Sequence, residues 1–411
     1  MRRVNTDEWS ALGADSFRKF RLSSPPGGWF PALQSLSWRI TGSNLAYIDL
    51  FSSLHLKRIS ISTRAGTGSS SNRVAAVASV VSTLPASSVL RSLSINIQGR
   101  QDTGYFKDSV SSVVLRCGPS LTKFTTTIKL SDAAANHLIH LPHLRTWRIE
   151  GTPPSYSASS LPLVFPPLTN LILGKGAARG WLSLFQRLED GISPRQSVTP
   201  LSQVKESLKL LYVEDRSSPI TGDFFTSPIQ MFQNLAVLDA VGSCSWGARR
   251  RQCAFGLNND NVTKLAMVLP QLETLSLGPP CAENTCATTV ACLLPISVHC
   301  LKLRELQIHF NTTNIVDDLE YILKDPRFQE LRSLPRCTLP HMKVDRMPLT
   351  LDEPGSEIAV EGILYIFPYL GELSGVEQSW HKISERIARF QRIQTDLADA
   401  GECGLEFPLL A

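Results

Sequence analysis

Apolar residues recur along this chain in one short phrase, Leu-x-x-Leu-x-Leu with hydrophobic substitutes, ten times between Leu33 and Ile308. The copies are Leu33/Leu36/Trp38, Leu56/Ile59/Ile61, Leu90/Leu93/Ile95, Leu121/Phe124/Thr126, Leu144/Trp147/Ile149, Leu168/Leu171/Leu173, Leu208/Leu211/Val213, Leu235/Leu238/Ala240, Leu272/Leu275/Leu277 and Leu303/Leu306/Ile308. The last two apolar positions of each copy are two residues apart, the period of a strand, so both side chains point to one face. The first sits three residues earlier, where the chain turns into the strand. At the fifth copy polar Thr146 and Arg148 alternate with Trp147 and Ile149, so the pattern predicts a strand there too. Between copies, Val74 to Leu84, Ala133 to Leu141, Trp181 to Leu188 and Val262 to Leu269 space apolar residues three to four apart and predict helices.

A single copy buries almost nothing, whereas stacked copies bury a continuous apolar column. The implied fold is α/β: a leucine-rich-repeat solenoid, with a curved parallel sheet on the concave side and helices and irregular loops on the convex side. Successive first leucines lie about 23 to about 40 residues apart against about 20 to 29 in standard units, which predicts inserted loops. Positions that would carry an asparagine ladder hold Thr41, Gln98, Lys129 and Pro280, with Asn311 the exception. Residues 1–28 read as a polar lead-in ending in Ser-Ser-Pro-Pro-Gly-Gly, and 29–373 as the solenoid. Within it 331–357 is poorly patterned, broken by Pro335, Pro340, Pro348 and Pro354, and a last partial copy follows at Leu370 and Leu373. Residues 374–411 read as an amphipathic helix and tail. Val376, Trp380, Ile383, Ile387, Phe390, Ile393 and Leu397 form one apolar stripe, with Lys382, Arg386, Arg389 and Arg392 largely off it. Such a C-terminal capping helix would cover the otherwise bare edge of the last strand.

Composition narrows the function classes. A net charge of +5 spread over 411 residues argues against a dedicated nucleic-acid binder, and the run Arg249-Arg250-Arg251 reads as a solvated loop. The basic start lacks the apolar run of a signal peptide, and no window approaches the roughly 18 consecutive apolar residues of a membrane span. Nine cysteines without framework spacing suit free thiols in a reducing compartment, cytoplasmic or nuclear. No nucleophile elbow, phosphate loop or zinc helix is present, which argues against an enzyme, and no cofactor is implied. Gly174-Lys175-Gly176-Ala177-Ala178-Arg179-Gly180 has its lysine in the wrong place for a phosphate loop and reads as a repeat turn. Cys281, Cys286, Cys292, His299 and Cys300 do not form two zinc-type pairs, and His137, His140 and His143 have no acidic or thiol partner near in sequence, so no metal is expected.

Function is then expected on the strand residues that alternate with the core. Arg39, Arg58, Lys123 and Arg148 come from the first half and Glu214, Asp239 and Glu305 from the second, with Tyr212 and His309 beside them. Ile172, Leu210, Tyr212 and Val237 add an apolar centre. A face basic at one end and acidic at the other, with aromatic and aliphatic anchors between, suits a protein partner.

Five phrases carry a family resemblance: Trp29-Phe30-Pro31-Ala32-Leu33-Gln34-Ser35-Leu36-Ser37-Trp38, Ser88-Val89-Leu90-Arg91-Ser92-Leu93, Leu141-Pro142-His143-Leu144-Arg145-Thr146, Phe165-Pro166-Pro167-Leu168-Thr169-Asn170-Leu171 and Leu269-Pro270-Gln271-Leu272-Glu273-Thr274-Leu275. With their Pro-x-Leu lead-in they are similar to the repeats of fungal F-box proteins, over roughly residues 29 to 311. The resemblance implies a module that selects substrates for a cullin-type ubiquitin ligase, with a Skp-type adaptor as partner only if an F-box lies upstream. The Leu-Pro-x-Glu/Asp opening of an F-box is not visible in the sequence. The alternative is a repeat scaffold or signalling regulator unrelated to ubiquitin transfer.

Overall fold

The computed structural model describes residues 3–5, 16, 18–19, 22–23, 30–40, 55–63, 81, 89–97, 104–151, 153, 165–174, 176–190, 201–215, 220–242, 255–278, 286–329, 334–344, 347, 349–375 and 377–399. The helix expected at Val74 to Leu84 lies outside these apart from Val81, as do Arg249-Arg250-Arg251 and Cys281. The chain forms two compact units, Met1–Ser217 and Ser218–Ala411.

In the first unit eight parallel strands follow chain order: β1 (Arg3–Asn5), β2 (Ser35–Ile40), β3 (Arg58–Thr63), β4 (Ser92–Ile97), β5 (Lys123–Thr126), β6 (Thr146–Ile149), β7 (Asn170–Leu173) and β8 (Leu210–Asp215). The described helices between them are Gly104–Leu115, Asp132–Ile139, Ala178–Asp190 and Ser202–Ser207. The second unit holds β9 (Ile220–Thr221), β10 (Val237–Gly242), β11 (Phe255–Gly256), β12 (Thr274–Leu277), β13 (Glu305–Ile308), β14 (His341–Val344) and β15 (Glu372–Gly375). There β10, β12, β13, β14 and β15 pair in parallel in that order, and the two-residue strands β9 and β11 pair separately. Each unit is an α/β leucine-rich-repeat solenoid, and the last described element of the second is the helix Gln378–Asp399.

All ten phrases are strands, in matched register within each unit. Leu36, Ile59 and Leu93 align, as do Trp38, Ile61 and Ile95, and every one of these is buried. Thr126 occupies a core position of the fourth copy at 2% exposure because its hydroxyl accepts the Ile128 amide at 3.0 Å, which removes the cost of an unpaired buried group.

Two backbone features recur at the repeats. The first leucine donates to the residue three before it at Leu33, Leu121, Leu144, Leu235, Leu272, Leu303 and Leu370, closing a turn. Such turns favour proline at their second position, which gives Pro31, Pro119, Pro142, Pro270 and Pro368 a structural role. The residue after the first leucine then offers one carbonyl to two amides of the next copy. Gln34 accepts from Lys57 and Arg58, Lys57 from Arg91 and Ser92, Arg91 from Thr122 and Lys123, and Glu273 from Arg304 and Glu305, all at 2.8 to 3.1 Å.

Helices close the buried side of the strands. Trp147 of β6 meets Trp181 of the helix Ala178–Asp190 edge to face at 5.2 Å, and Phe165 meets Phe185 at 5.5 Å. In the second unit Trp380 anchors the C-terminal helix, donating its indole N–H to the Met347 carbonyl at 3.1 Å and packing on Phe310. Ile383 and Ile387 complete that buried stripe, whereas Ile393 is half exposed.

A charge placed in the apolar column should disturb more than its own strand. Leu171→Asp in the first unit, and Leu275→Asp in the second, should each cost several kcal/mol (about 3 or more) through an unpaired buried carboxylate. Hydrogen exchange should show lost protection on both neighbours, β6 and β8 or β10 and β13; loss confined to the substituted strand would count against a shared core.

Candidate functional site: the open face of the strands

Strand positions alternate between the core and an open face, and the register sets the open-face residues in rows. In the first unit one row runs Arg3, Ser35, Arg58, Ser92, Lys123, Thr146, Asn170, Leu210. The next runs Asn5, Ser37, Ser60, Ser94, Thr125, and beyond it Arg39, Ser62 and Asn96 align. Arg58 and Lys123 are exposed and Arg39 is half-buried. Thr125 donates its hydroxyl to Ser94 at 2.8 Å, so neighbouring hydroxyls also hold one another.

Arg148 stands differently. Its Nε meets Glu150 Oε1 at 3.0 Å and its Nη2 lies 4.0 Å from Glu214 Oε2, reaching from β6 across β7 to β8. The two carboxylate side chains are 8% and 9% exposed. Gly174, just past β7, makes room for this arrangement, because a Cβ there would fall on the Glu150 carboxylate. The sequence reading set Arg148 and Glu214 at opposite ends of a charge gradient; the structure brings them together as one ion-pair cluster. Beside it Ile172 and Tyr212 are matched across β7 and β8 and half-buried. The cavity bounded by Thr126, Asp132, Trp147, Arg148, Glu150 and Trp181 holds only about 10 Å³, room for about one water and far from the several hundred Å³ of a small-molecule pocket.

The second unit carries the other predicted residues. Val237, Thr274, Glu305, His341 and Glu372 share a row, and Asp239, Ser276, Gln307, Lys343 and Ser374 the next. Glu305 is exposed. His309 lies one residue past β13 and is 4% exposed, so it belongs to the interior rather than the open face. Burial raises the pKa of the Asp239 carboxyl, opposed by a hydrogen bond from Ser276, and its Oδ1 is buried without a hydrogen-bond partner.

Sequence reasoning missed Arg3, Glu150 as the partner of Arg148, and His341, Lys343 and Glu372. His341 and Lys343 belong to a further copy, Leu339/Met342/Val344, whose spacing is that of the other ten. Arg3 had no such signal, since Val4 is the single core residue of its three-residue strand.

No three of the described histidines, cysteines and acidic residues gather as metal ligands. Cys286, Cys292 and Cys300 are buried free thiols, and burial pushes Cys300 up to about 12. His137 and His140 are engaged with the carbonyls of Cys117 and Asn136 at 2.9 and 2.7 Å. Among the described residues no helix is long and apolar enough to cross a membrane.

A leucine-rich-repeat protein of Leptospira interrogans with a solved structure is similar to this chain, with a TM-score of 0.29 and 14% sequence identity over 91% of this chain and 100% of that one. No protein-family model matches the chain, and no curated protein does.

Two outcomes test the electrostatics. Arg148→Ala should destabilise the first unit by about 3 kcal/mol, the low end for a broken buried pair, and adding Glu150→Gln and Glu214→Gln should recover part of that loss in denaturant titrations. A triple variant that recovers nothing over the single would show that the arginine acts by packing alone. For Asp239 the folded state holds the proton more tightly than the unfolded one, so the cost of ionisation grows as pH rises through the unfolded value. Asp239→Asn should therefore raise the melting temperature at neutral pH, and the gain should fade as the pH is lowered toward 3.8. A gain independent of pH would assign the effect to something other than ionisation.

Proposed function

We propose that this chain is a non-catalytic protein-recognition module, holding a protein partner on the open face of its strands. The observation that carries the reading is the row arrangement of β1 to β8, where arginine, lysine and small hydroxyl side chains stand in register on a face opposite the packed helices. Fixed polar groups on a rigid sheet orient a partner without the entropy loss of ordering a loop. Ile172 and Tyr212 supply apolar area beside them, and aromatic residues flanked by charge are common anchors of interfaces. The small cavity beside Arg148 gives no purchase to a small-molecule substrate.

The resemblance to fungal F-box repeats supports a finer form of this reading. In it the face reads substrates for a cullin-type ubiquitin ligase in the cytoplasm or nucleus, and a Skp-type adaptor joins only if an F-box lies upstream. Comparing partners captured with and without the upstream reading frame tests it: adaptor and cullin subunits recovered only with the longer form support the ligase role, and their absence from both leaves a repeat scaffold.

Photo-cross-linking tests the face itself. A benzophenone amino acid at Ser60, on the open face, should yield partner adducts, and the same group at Met267, exposed on the helix Asn259–Val268, should not. Adducts from Met267 alone would move the binding surface off the strands.

A further inference from the structure

The first row of the open face places its cations on every second strand. Arg3 in β1, Arg58 in β3 and Lys123 in β5 stand at matched positions, with Ser35 and Ser92 between them. All three cations are exposed. Adjacent strands lie about 4.8 Å apart, so these charges recur about every 9.6 Å across the sheet. Among the described open-face positions of β1 to β5 there is no acidic residue; Arg39 adds a fourth cation, and Asn5, Ser37, Ser60, Ser94 and Thr125 form a polar row alongside.

Resting on the recognition role proposed above, we infer that the partner is an acidic peptide segment in polyproline II conformation, laid across β1 to β5 with a carboxylate at every third residue. Polyproline II turns once in three residues and rises about 3.1 Å per residue, so carboxylates at i, i+3 and i+6 share one face about 9.3 Å apart. The match to about 9.6 Å holds over both steps. A β-strand fails because i and i+3 point to opposite faces. An α-helix repeats a face at i+3, i+4 and i+7, about 4.5, 6 and 10.5 Å, none of which equals the cation spacing, and its carbonyls are already used within the helix. Polyproline II leaves its carbonyls unpaired, and neighbouring hydroxyls such as those of Ser35, Ser60 and Ser92 are potential donors to them. A single-stranded nucleic acid would bring the same charge, but such strands bind on aromatic stacking platforms, and the described open-face positions of β1 to β5 hold no aromatic residue.

The test uses the whole chain and fluorescein-labelled peptides read by anisotropy. One peptide repeats Glu-Pro-Pro four times; its isomer has the same composition with the glutamates contiguous. The spaced peptide should bind about tenfold more tightly than the isomer, and more weakly as salt rises. Arg58→Glu and Lys123→Glu should each weaken it by about tenfold. Both side chains are exposed, so folding is checked by an unchanged melting curve, and a peptide of Lys-Pro-Pro repeats should bind the double variant in preference to the native chain. Equal affinity for the two isomers, insensitivity to both substitutions, or tighter binding of an oligouridylate than of the spaced peptide would overturn the inference. Those results leave the recognition role standing if Ser60 still cross-links a protein partner, whereas loss of the cross-link with peptide binding intact would separate the two in the other direction.

Discussion

One backbone carbonyl, shared in most repeats between two amides of the next copy, is the constraint from which the rest of each unit follows. It fixes the height at which each strand meets its neighbour, and parallel strands tolerate no slip without moving every side chain to the other face. The turn closed by the first leucine sets the angle at which the chain arrives. Both features are made by backbone atoms, so Gln34, Lys57, Arg91 and Glu273 serve equally well as the accepting residue. Side chains at those positions are free to vary, while the leucines before them and the apolar pair after them are bound to the core.

From that register come the two characters of the open face in the first unit. Where the outward residues are short and hydroxylated, cations stand apart at regular intervals and meet solvent. Where β6, β7 and β8 end, the missing side chain of Gly174 lets Glu150 fold over the backbone and Arg148 reach two carboxylates at once. That cluster sets one guanidinium against two carboxylates and adds no positive charge to the face. Among the described open-face positions the positive character therefore resides in β1 to β5, and it is there that an acidic segment would meet the exposed charges of Arg3, Arg58 and Lys123.

Much of this was legible beforehand because a leucine-rich repeat writes its strand into spacing. Ten strands follow from ten phrases, and the helices at Asp132–Ile139, Ala178–Asp190 and Asn259–Val268 follow from three-to-four periodicity. The eleventh phrase was obscured by substitution: Met342 and Val344 fill leucine positions between prolines, and the stretch reads as unpatterned although its packing is equivalent. Strand β1 was invisible for a different reason, since three residues with one buried side chain carry no period. His309 looked like the continuation of an alternating strand, but β13 ends at Ile308 and the chain turns inward.

Apolar spacing along the chain settles which residues enter the core and which alternate away from it, because leucine, isoleucine and valine at strand period must all bury one face. Which outward residues share a row is set by strand register, a property of the folded chain alone. Arg148 and Glu214 are far apart along the chain, and Arg3 and Lys123 farther still. Where each pair comes to stand on the face depends on the number of strands that intervene and on hydrogen bonds that are blind to side-chain identity. Charge order along the chain therefore suggested a gradient, and strand register turned it into a paired cluster beside a row of evenly spaced cations.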